Sequence, residues 1–369
     1  MRFHCPARRS LRIFAIAVAM VIVHGAAAAQ TTTGSIRGYV TNKAGAPLPG
    51  ATVEARSLST GIRRLGVTRE NGFYTLPGLT PGSYQVSARR IGSAASTQTV
   101  RVGVGVDVAL DLQLADTAVQ LTGVSVVAAV PATTRSTEVA TNVSQRQIND
   151  LPTSSRNFLD LATLAPGTRV APDRLDGTSK EFAAGAQPAE QINVFIDGAS
   201  YKNDIINGGV AGQDASRGNP FPRNAIQEFR IITNNFKAEY QKASSAIITA
   251  VTKSGTNTWQ GGFFTELQNK SFVTQDSISR AAGVTKPDYS RYLVGANVGG
   301  PIVRDKLFFF GSYEGNYQTR QGVTVFGGDV SSYPAAIQAQ NNTAHDSPFH
   351  ENLGFAKLTY VPNQDQQLE

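Results

Sequence analysis

Apolar and polar residues alternate with a period of two in several separate stretches, and the stretches lengthen along the chain. From Gly34 to about Ala115 they are short: Gly38-Tyr39-Val40-Thr41, Ala51-Thr52-Val53-Glu54-Ala55, Phe73-Tyr74-Thr75-Leu76 and Tyr84-Gln85-Val86-Ser87-Ala88. Turn clusters divide them at Gly45–Gly50, Glu70-Asn71-Gly72 and Thr80-Pro81-Gly82. Short strands punctuated by Gly, Pro and Asn predict a small β-sandwich. Asn71-Gly72 is a hairpin signal, because these two residue types accept positive φ at least cost.

Beyond Ala115 the texture changes. Leu121 to Val130 is a β-prone stretch followed by Pro131-Ala132-Thr133-Thr134. It reads either as an edge strand or linker, or as a segment that adds to the open sheet edge of another protein through main-chain hydrogen bonds. Two helical stretches follow, Ser144 to Leu151 and Arg156 to Leu164. In the second, Phe158, Leu161, Ala162 and Ala165 share one face at helical spacing, and Pro166-Gly167 ends it. A Gly/Ala/Ser-rich loop is expected up to about Gln191. Three strands are then predicted, Gln191–Ile196, Ile226–Thr233 and Ala246–Thr252, with Asp197-Gly198 turning the first. Helices and strands mixed in this way predict a small α+β unit.

After Asn257 the strands become long and aromatic. Trp259, Gly261, Phe263, Thr265 and Leu267 share one face, and Gln260, Gly262, Phe264, Glu266 and Gln268 the other. The runs Tyr292–Val298, Leu307–Gln318 and Asn352–Val361 alternate in the same manner. Apolar-out, polar-in alternation over about ten residues is the pattern of a transmembrane β-barrel. Its cause is that lipid offers no partner to backbone polar groups, so spanning strands must pair with one another.

Composition narrows the function. Arg2, Arg8, Arg9 and Arg12 precede an apolar run from Ile13 to Val23 and then Ala26 to Ala29. This is the layout of a secretory signal, cut near Ala29–Gln30, and the run is short of the ~20 residues a spanning helix needs. The net charge of +7 falls to +3 without those four arginines, which argues against a nucleic-acid partner. The one cysteine is Cys5, and His345 and His350 are the only histidines beyond the signal. Disulfides, thiol chemistry and most histidine-based catalysis are thereby disfavoured, and no cofactor motif is present.

Two resemblances sit on these residues. Gly38-x-Val40, Gly45-x-Pro47-Leu48-x-Gly50-Ala51-x-Val53, Asn71-Gly72-x-Tyr74 and Leu79-x-Pro81-Gly82-x-Tyr84 resemble the carboxypeptidase-regulatory-like domain. That likeness implies a transthyretin-like sandwich acting as a non-catalytic spacer or docking module. Leu151-Pro152, Arg156-Asn157-Phe158-Leu159-Asp160-Leu161, Ala165-Pro166-Gly167 and Phe195-Ile196-Asp197-Gly198 resemble the plug domain of TonB-dependent receptors, Oar-like branch. So do Pro222 to Phe229, Ala238-Glu239-Tyr240 and Val251 to Asn257. Gly300-Pro301-Ile302 with Asp305 to Phe310 and Tyr313-Glu314-Gly315 is similar to an early barrel hairpin of that branch.

The resemblance implies a signal over 1–29, a β-sandwich over 30–115, a linker over 116–141, an α+β plug over 142–257 and the start of an antiparallel outer-membrane barrel over 258–369. The linker would carry the TonB box at Leu121, Thr122, Gly123, Val124, Ser125, Val126 and Val127. Expected partners are a TonB-type energy-coupling protein, outer-membrane lipid and an unidentified extracellular ligand, with the sandwich in the periplasm. About four barrel strands fall short of the about eight that the smallest bacterial barrels use, so the chain is expected to be the front portion of a transporter, a fragment or a truncated reading frame. The competing reading is a periplasmic or cell-surface adhesion or scaffold protein using the sandwich; a secreted hydrolase is disfavoured.

Three smaller expectations complete the reading. His345-Asp346 and His350-Glu351 have metal-ligand chemistry but are expected on a solvated loop between barrel strands. Asp197 is expected to serve a strand-end turn. Arg223, Glu228, Arg230 and Lys237 are expected to meet the barrel wall once folded, at partners lying largely beyond Glu369, because buried charges need partners.

Overall fold

A computed structural model describes residues 32–369 except 116–136, 154–155, 172–180, 204–209, 211–217, 276, 282, 284–285 and 364–365. The candidate TonB box, Leu121 to Val127, and the cleavage pair Ala29 and Gln30 lie outside the described residues.

The first unit is the expected sandwich. Its strands are β1 (Gly34–Asn42), β2 (Thr52–Ser57), β3 (Arg63–Val67), β4 (Phe73–Leu79), β5 (Gly82–Arg89), β6 (Ser96–Val102), β7 (Asp107–Ala109) and β8 (Leu112–Leu114). One sheet runs β4-β1-β7 with β8 also on β1; the other runs β3-β2-β5-β6. Alternate residues face inward, so Ile36, Val40, Val53, Tyr74, Leu76, Val86, Val100 and Leu112 form a closed apolar core. The buried Tyr74 hydroxyl avoids desolvation loss by donating to Leu110 O at 2.7 Å. Asn71-Gly72 does turn the chain, with Gly72 at φ 74°. The flanking strands β3 and β4, however, belong to different sheets, so the turn is a crossover between layers and not a hairpin. A Cβ at Gly72 would stand 2.8 Å from Val40 O, which fixes the residue type twice over.

The second unit is α+β. It contains β9 (Val139–Val143), α1 (Gln145–Asp150), a 3-10 turn (Phe158–Leu164), β10 (Thr168–Ala171), β11 (Glu181–Ala184), β12 (Ile192–Ile196), β13 (Ala199–Ser200), β14 (Ile226–Asn234) and β15 (Ala246–Thr252). A five-stranded sheet runs β13-β12-β15-β14-β9. Ser144 and Gln147 form a reciprocal capping box at the start of α1. The stretch expected as a second helix is a 3-10 helix instead, capped by Asn157 and burying Phe158, Leu159, Leu161 and Ala162. The expected loop holds the small β10-β11 hairpin, and β9 extends the sheet where only a linker was expected.

The third unit is an antiparallel meander of β16 (Gln260–Asn269), β17 (Tyr289–Val303), β18 (Leu307–Thr324), β19 (Thr343–Asn363) and β20 (Gln366–Leu368). It is a curved wall without closure. Its outer face exposes Trp259, Phe263, Leu267, Tyr292, Val298, Tyr313, Leu358 and Tyr360. Its inner face buries Phe308, Phe310, Ser312, Glu314, Asn316 and Gln318. The 18 residues of β18 would reach about 60 Å at ~3.3 Å each, whereas a tilted strand crosses a bilayer in about ten. The far halves of β18 and β19 therefore project beyond the lipid. The turn from Val303 to Leu307 is tight and the 325–342 connection long. Short turns mark the periplasmic side of such barrels and long loops the outer side.

Candidate functional site at the plug–barrel interface

The inner face of the wall is where the second unit seats. Phe310 belongs to the buried core of that unit, and Phe355 packs on it from β19. Phe355 meets Phe221 edge-on at 5.1 Å between ring centres. These apolar contacts bring three polar links under cover.

The first link centres on Arg156. Its Nε lies 3.2 Å from Glu314 Oε2, one terminal nitrogen 3.2 Å from Glu266 Oε1, and the other donates to Asn224 Oδ1 at 2.6 Å. The guanidinium also stacks 3.5 Å from the Phe264 ring centre. Glu314 is filled on its other oxygen by the Asn224 backbone N–H at 2.6 Å. Exposure separates the two ion pairs: Arg156 and Glu314 side chains are 12% and 6% exposed, while Glu266 is 53% exposed. The Arg156–Glu314 pair is thus desolvated and fully hydrogen-bonded, the condition under which losing one partner is costly.

The second link is Lys357, whose Nζ lies 3.5 Å from Asp197 Oδ2 and 3.3 Å from Thr252 Oγ1. Asp197 and Gly198 have φ of 48° and 84°, the geometry of a tight hairpin turn between β12 and β13. The Asp197 carboxylate accepts from Thr252 N at 2.9 Å and from the Thr252 hydroxyl. Asp197 is a strand-end turn as expected, and it also faces the wall. The third link is the Asn219 N–H donating to Glu351 Oε1 at 2.7 Å.

None of the four charges expected at the wall meets the described wall strands. Arg223 turns back into its own unit, donating to Thr153 Oγ1 at 2.7 Å, to Leu151 O at 3.3 Å and to Ile148 O. Burial, then the neighbouring Arg156 charge, holds the Arg223 guanidinium below its ordinary pKa. Glu228 and Arg230 face the sandwich. Glu228 accepts from Val104 N at 2.5 Å and pairs with Arg101 at 3.2 Å. Arg230 donates to Gly105 O and pairs with Glu138 at 2.9 Å. Burial pushes the Glu228 carboxyl up, while the Val104 N–H and Arg101 pull it down. Lys237 lies beside Glu239 at 3.7 Å, both exposed. Charge alone could not say which neighbour each group meets.

His345-Asp346 and His350-Glu351 also depart from expectation, since they lie on β19 and not in a loop. Pro348 lies between the two pairs and sits within the strand, opposite Thr319. Proline is tolerated where one side of a strand is unpaired, and among the described residues β19 meets β20 only near Tyr360 and Asn363. His350 packs edge-on against Tyr317 at 5.7 Å. Among the described residues no group of three metal-ligand side chains gathers.

The wall and its apolar outer face are those of an outer-membrane β-barrel protein, with the α+β unit seated on the wall's inner face. The outer membrane beta barrel domain matches residues 251–364, and the carboxypeptidase regulatory-like domain matches residues 35–115. The TonB-dependent transporter Oar of Myxococcus xanthus is 26% identical over 98% of this chain. The chain is accordingly a homologue of the Oar-type TonB-dependent transporters, located in the outer membrane. It spans about a third of that relative, 35% of its length. Among solved structures, the outer membrane transporter YddB from Escherichia coli aligns with a TM-score of 0.45 and 13% identity, covering 61% of this chain and 31% of that one. A mutant of the ferric enterobactin receptor PfeA from Pseudomonas aeruginosa aligns with a TM-score of 0.36 and 14% identity, over 49% of this chain and 24% of that one.

Proposed function

We propose that the chain is the front part of an energised outer-membrane uptake receptor, with the sandwich in the periplasm and the plug held in the barrel. The reading rests on one observation above the rest: the plug is fastened to the polar inner face of the wall by the buried Arg156–Glu314 pair. A plug held by a few discrete, breakable links suits a device that is closed at rest and opened by work. The work would come from a TonB-type protein of the inner membrane, adding a strand at Leu121 to Val127 between sandwich and plug. Strand addition draws on main-chain hydrogen bonds and tolerates a loose sequence. The transported ligand is an extracellular molecule whose class these residues do not specify. No enzymatic role is proposed, in keeping with the transporter relative. The scaffold reading is not favoured, since an adhesion module has no use for a wall that is apolar outside and polar within.

Single cysteines placed in turn from Leu121 to Val127 test this reading, using a TonB C-terminal domain carrying one cysteine on its edge strand. Disulfide capture should rise and fall with a period of two, as side chains alternate along an added strand. Absent capture, or capture without periodicity, would count against strand addition here.

A further inference from the structure

The sandwich does not hang from the plug by its linker alone: three of its loops are built against the short-turn side of the wall and the underside of the plug. The loop after β2 meets the chain entering the wall, where Asn257 N donates to Ser59 O at 3.0 Å and Asn257 Nδ2 to Thr60 O at 2.7 Å. Asn257 in turn holds the β17–β18 turn, through Asp305 Oδ1 at 2.8 Å and Asp305 N at 2.9 Å. The loop before β5 accepts from Gln227 Nε2 at Pro81 O, 2.7 Å. Arg101 at the end of β6 and Val104 N in the loop after it fill Glu228, and that loop receives Arg230 at Gly105 O.

Glycines stand where these surfaces come closest. A Cβ on Gly61 would lie 2.7 Å from Asp305 Oδ1, and one on Gly105 2.6 Å from an Arg230 guanidinium nitrogen. Both glycines have positive φ, 77° and 62°, the backbone shape that favours glycine. Between the sandwich, plug and wall lies a cavity of about 750 Å³, lined among others by Ser59, Pro81, Arg101, Lys253, Ser254 and Lys357.

We propose that the sandwich is a docked cover over the periplasmic mouth of the plugged barrel, and that it must lift before anything leaves through that cavity. The inference rests on the uptake reading for its purpose, but not for its geometry. Arg230 makes the release mechanical. It bridges Gly105 of the sandwich to Glu138, which lies just after the 116–136 linker and before β9. Tension on the linker meets Thr137, whose carbonyl accepts from Asn235 Nδ2 at 3.0 Å, and then Glu138, so the bond that orients Arg230 is lost early and the hold on Gly105 weakens with it. The same pull that opens the plug thus unlatches the cover.

The test places one reporter, Ser254→Cys, in the complete receptor in outer-membrane vesicles open on the periplasmic side, with Cys5, the chain's one native cysteine, absent or replaced. The probe is a maleimide carrying a polyethylene glycol too large for the cavity. Labelling should be slow in the otherwise native chain. It should quicken about tenfold or more in Glu228→Ala with Asn257→Ala, because losing buried hydrogen bonds raises the open population by such factors. A short bismaleimide joining Thr60→Cys to Asp305→Cys before labelling should restore the slow rate, and heat-modifiable migration checks that each variant is folded. Equal labelling in all folded variants, or fast labelling despite the cross-link, would overturn the cover. No step uses TonB, so failure here leaves strand capture untouched, and failure of strand capture leaves the cover standing.

Discussion

Replacing Arg156 by alanine should loosen the plug from the wall by an amount the structure fixes within limits. The change strands Glu314, whose side chain is 6% exposed, with the Asn224 N–H still donating to it. Breaking a buried pair on one side costs about 3–5 kcal/mol, and the stacking on Phe264 adds about 1 kcal/mol. Glu314 can still accept from Asn224 and take up a proton, which argues for the lower end, about 3 kcal/mol. The Asn224 amide is itself the reporter, since it exchanges with solvent only when this contact opens. At 1.36 kcal/mol per factor of ten, its hydrogen exchange should accelerate by about two orders of magnitude. Glu266→Ala is the internal control: the Glu266 side chain is itself 53% exposed, so about 0–1 kcal/mol is expected. Exchange at Asn224 within about threefold of the native rate in Arg156→Ala would refute the reasoning, as would equal effects of Arg156→Ala and Glu266→Ala.

Burial raises the Glu228 carboxyl above its ordinary value of 4.5, so its contribution to stability is full below that value and is lost as pH rises through the folded-state value. Glu228→Gln should remove this acid-side gain, seen as a flatter plot of unfolding midpoint against pH just above 4.5. Phe263, 86% exposed on the outer face, should tolerate leucine, while Phe263→Lys should cost ~2–4 kcal/mol near the bilayer midplane and reduce the folded fraction in vesicle assembly. Tyr74→Phe, which deletes the 2.7 Å bond to Leu110 O, should lower sandwich stability by about 1–1.5 kcal/mol, read from amide exchange in β1 and β4.

The legible parts of this fold are those where one solvent boundary imposes a simple rule. The wall strands were readable because lipid requires Phe263, Leu267 and Tyr313 on one face while the plug side tolerates Glu266 and Glu314. Where β18 and β19 leave the lipid, the rule lapses. Thr319 to Thr324 and Thr343 to Ser347 are mostly polar, with no apolar residue alternating along either face, and the sequence pattern stops short of the observed ends. Strand β9 was invisible for another reason: Val-Ala-Thr-Asn-Val is short and mixed, and it is strand because β14 offers a free edge. The site was less legible still. Arg156 and Glu314 are 158 residues apart, and no local pattern selects one as partner of the other. The signal available in retrospect is that Glu314 is the sole charge between Leu307 and Thr319, at an inward position.

The three units share one load path. The sandwich ends at β8, which pairs in parallel with β1, and the plug begins at β9, the outermost strand of its sheet. The 116–136 linker joins these two ends, so force applied within it reaches both at once. An edge strand bonded to a single neighbour can yield one pair at a time, whereas the Arg156 link must give as a unit. Peeling of β9 should therefore precede loss of the wall contacts. The five residues of β9 lie over β14 from Phe229 to Asn234, the segment that carries Arg230. Unpairing that edge frees the side chain that grips the sandwich before the plug has left the wall. The order of events, cover first and plug second, then follows from where the weakest edge lies in the sheet.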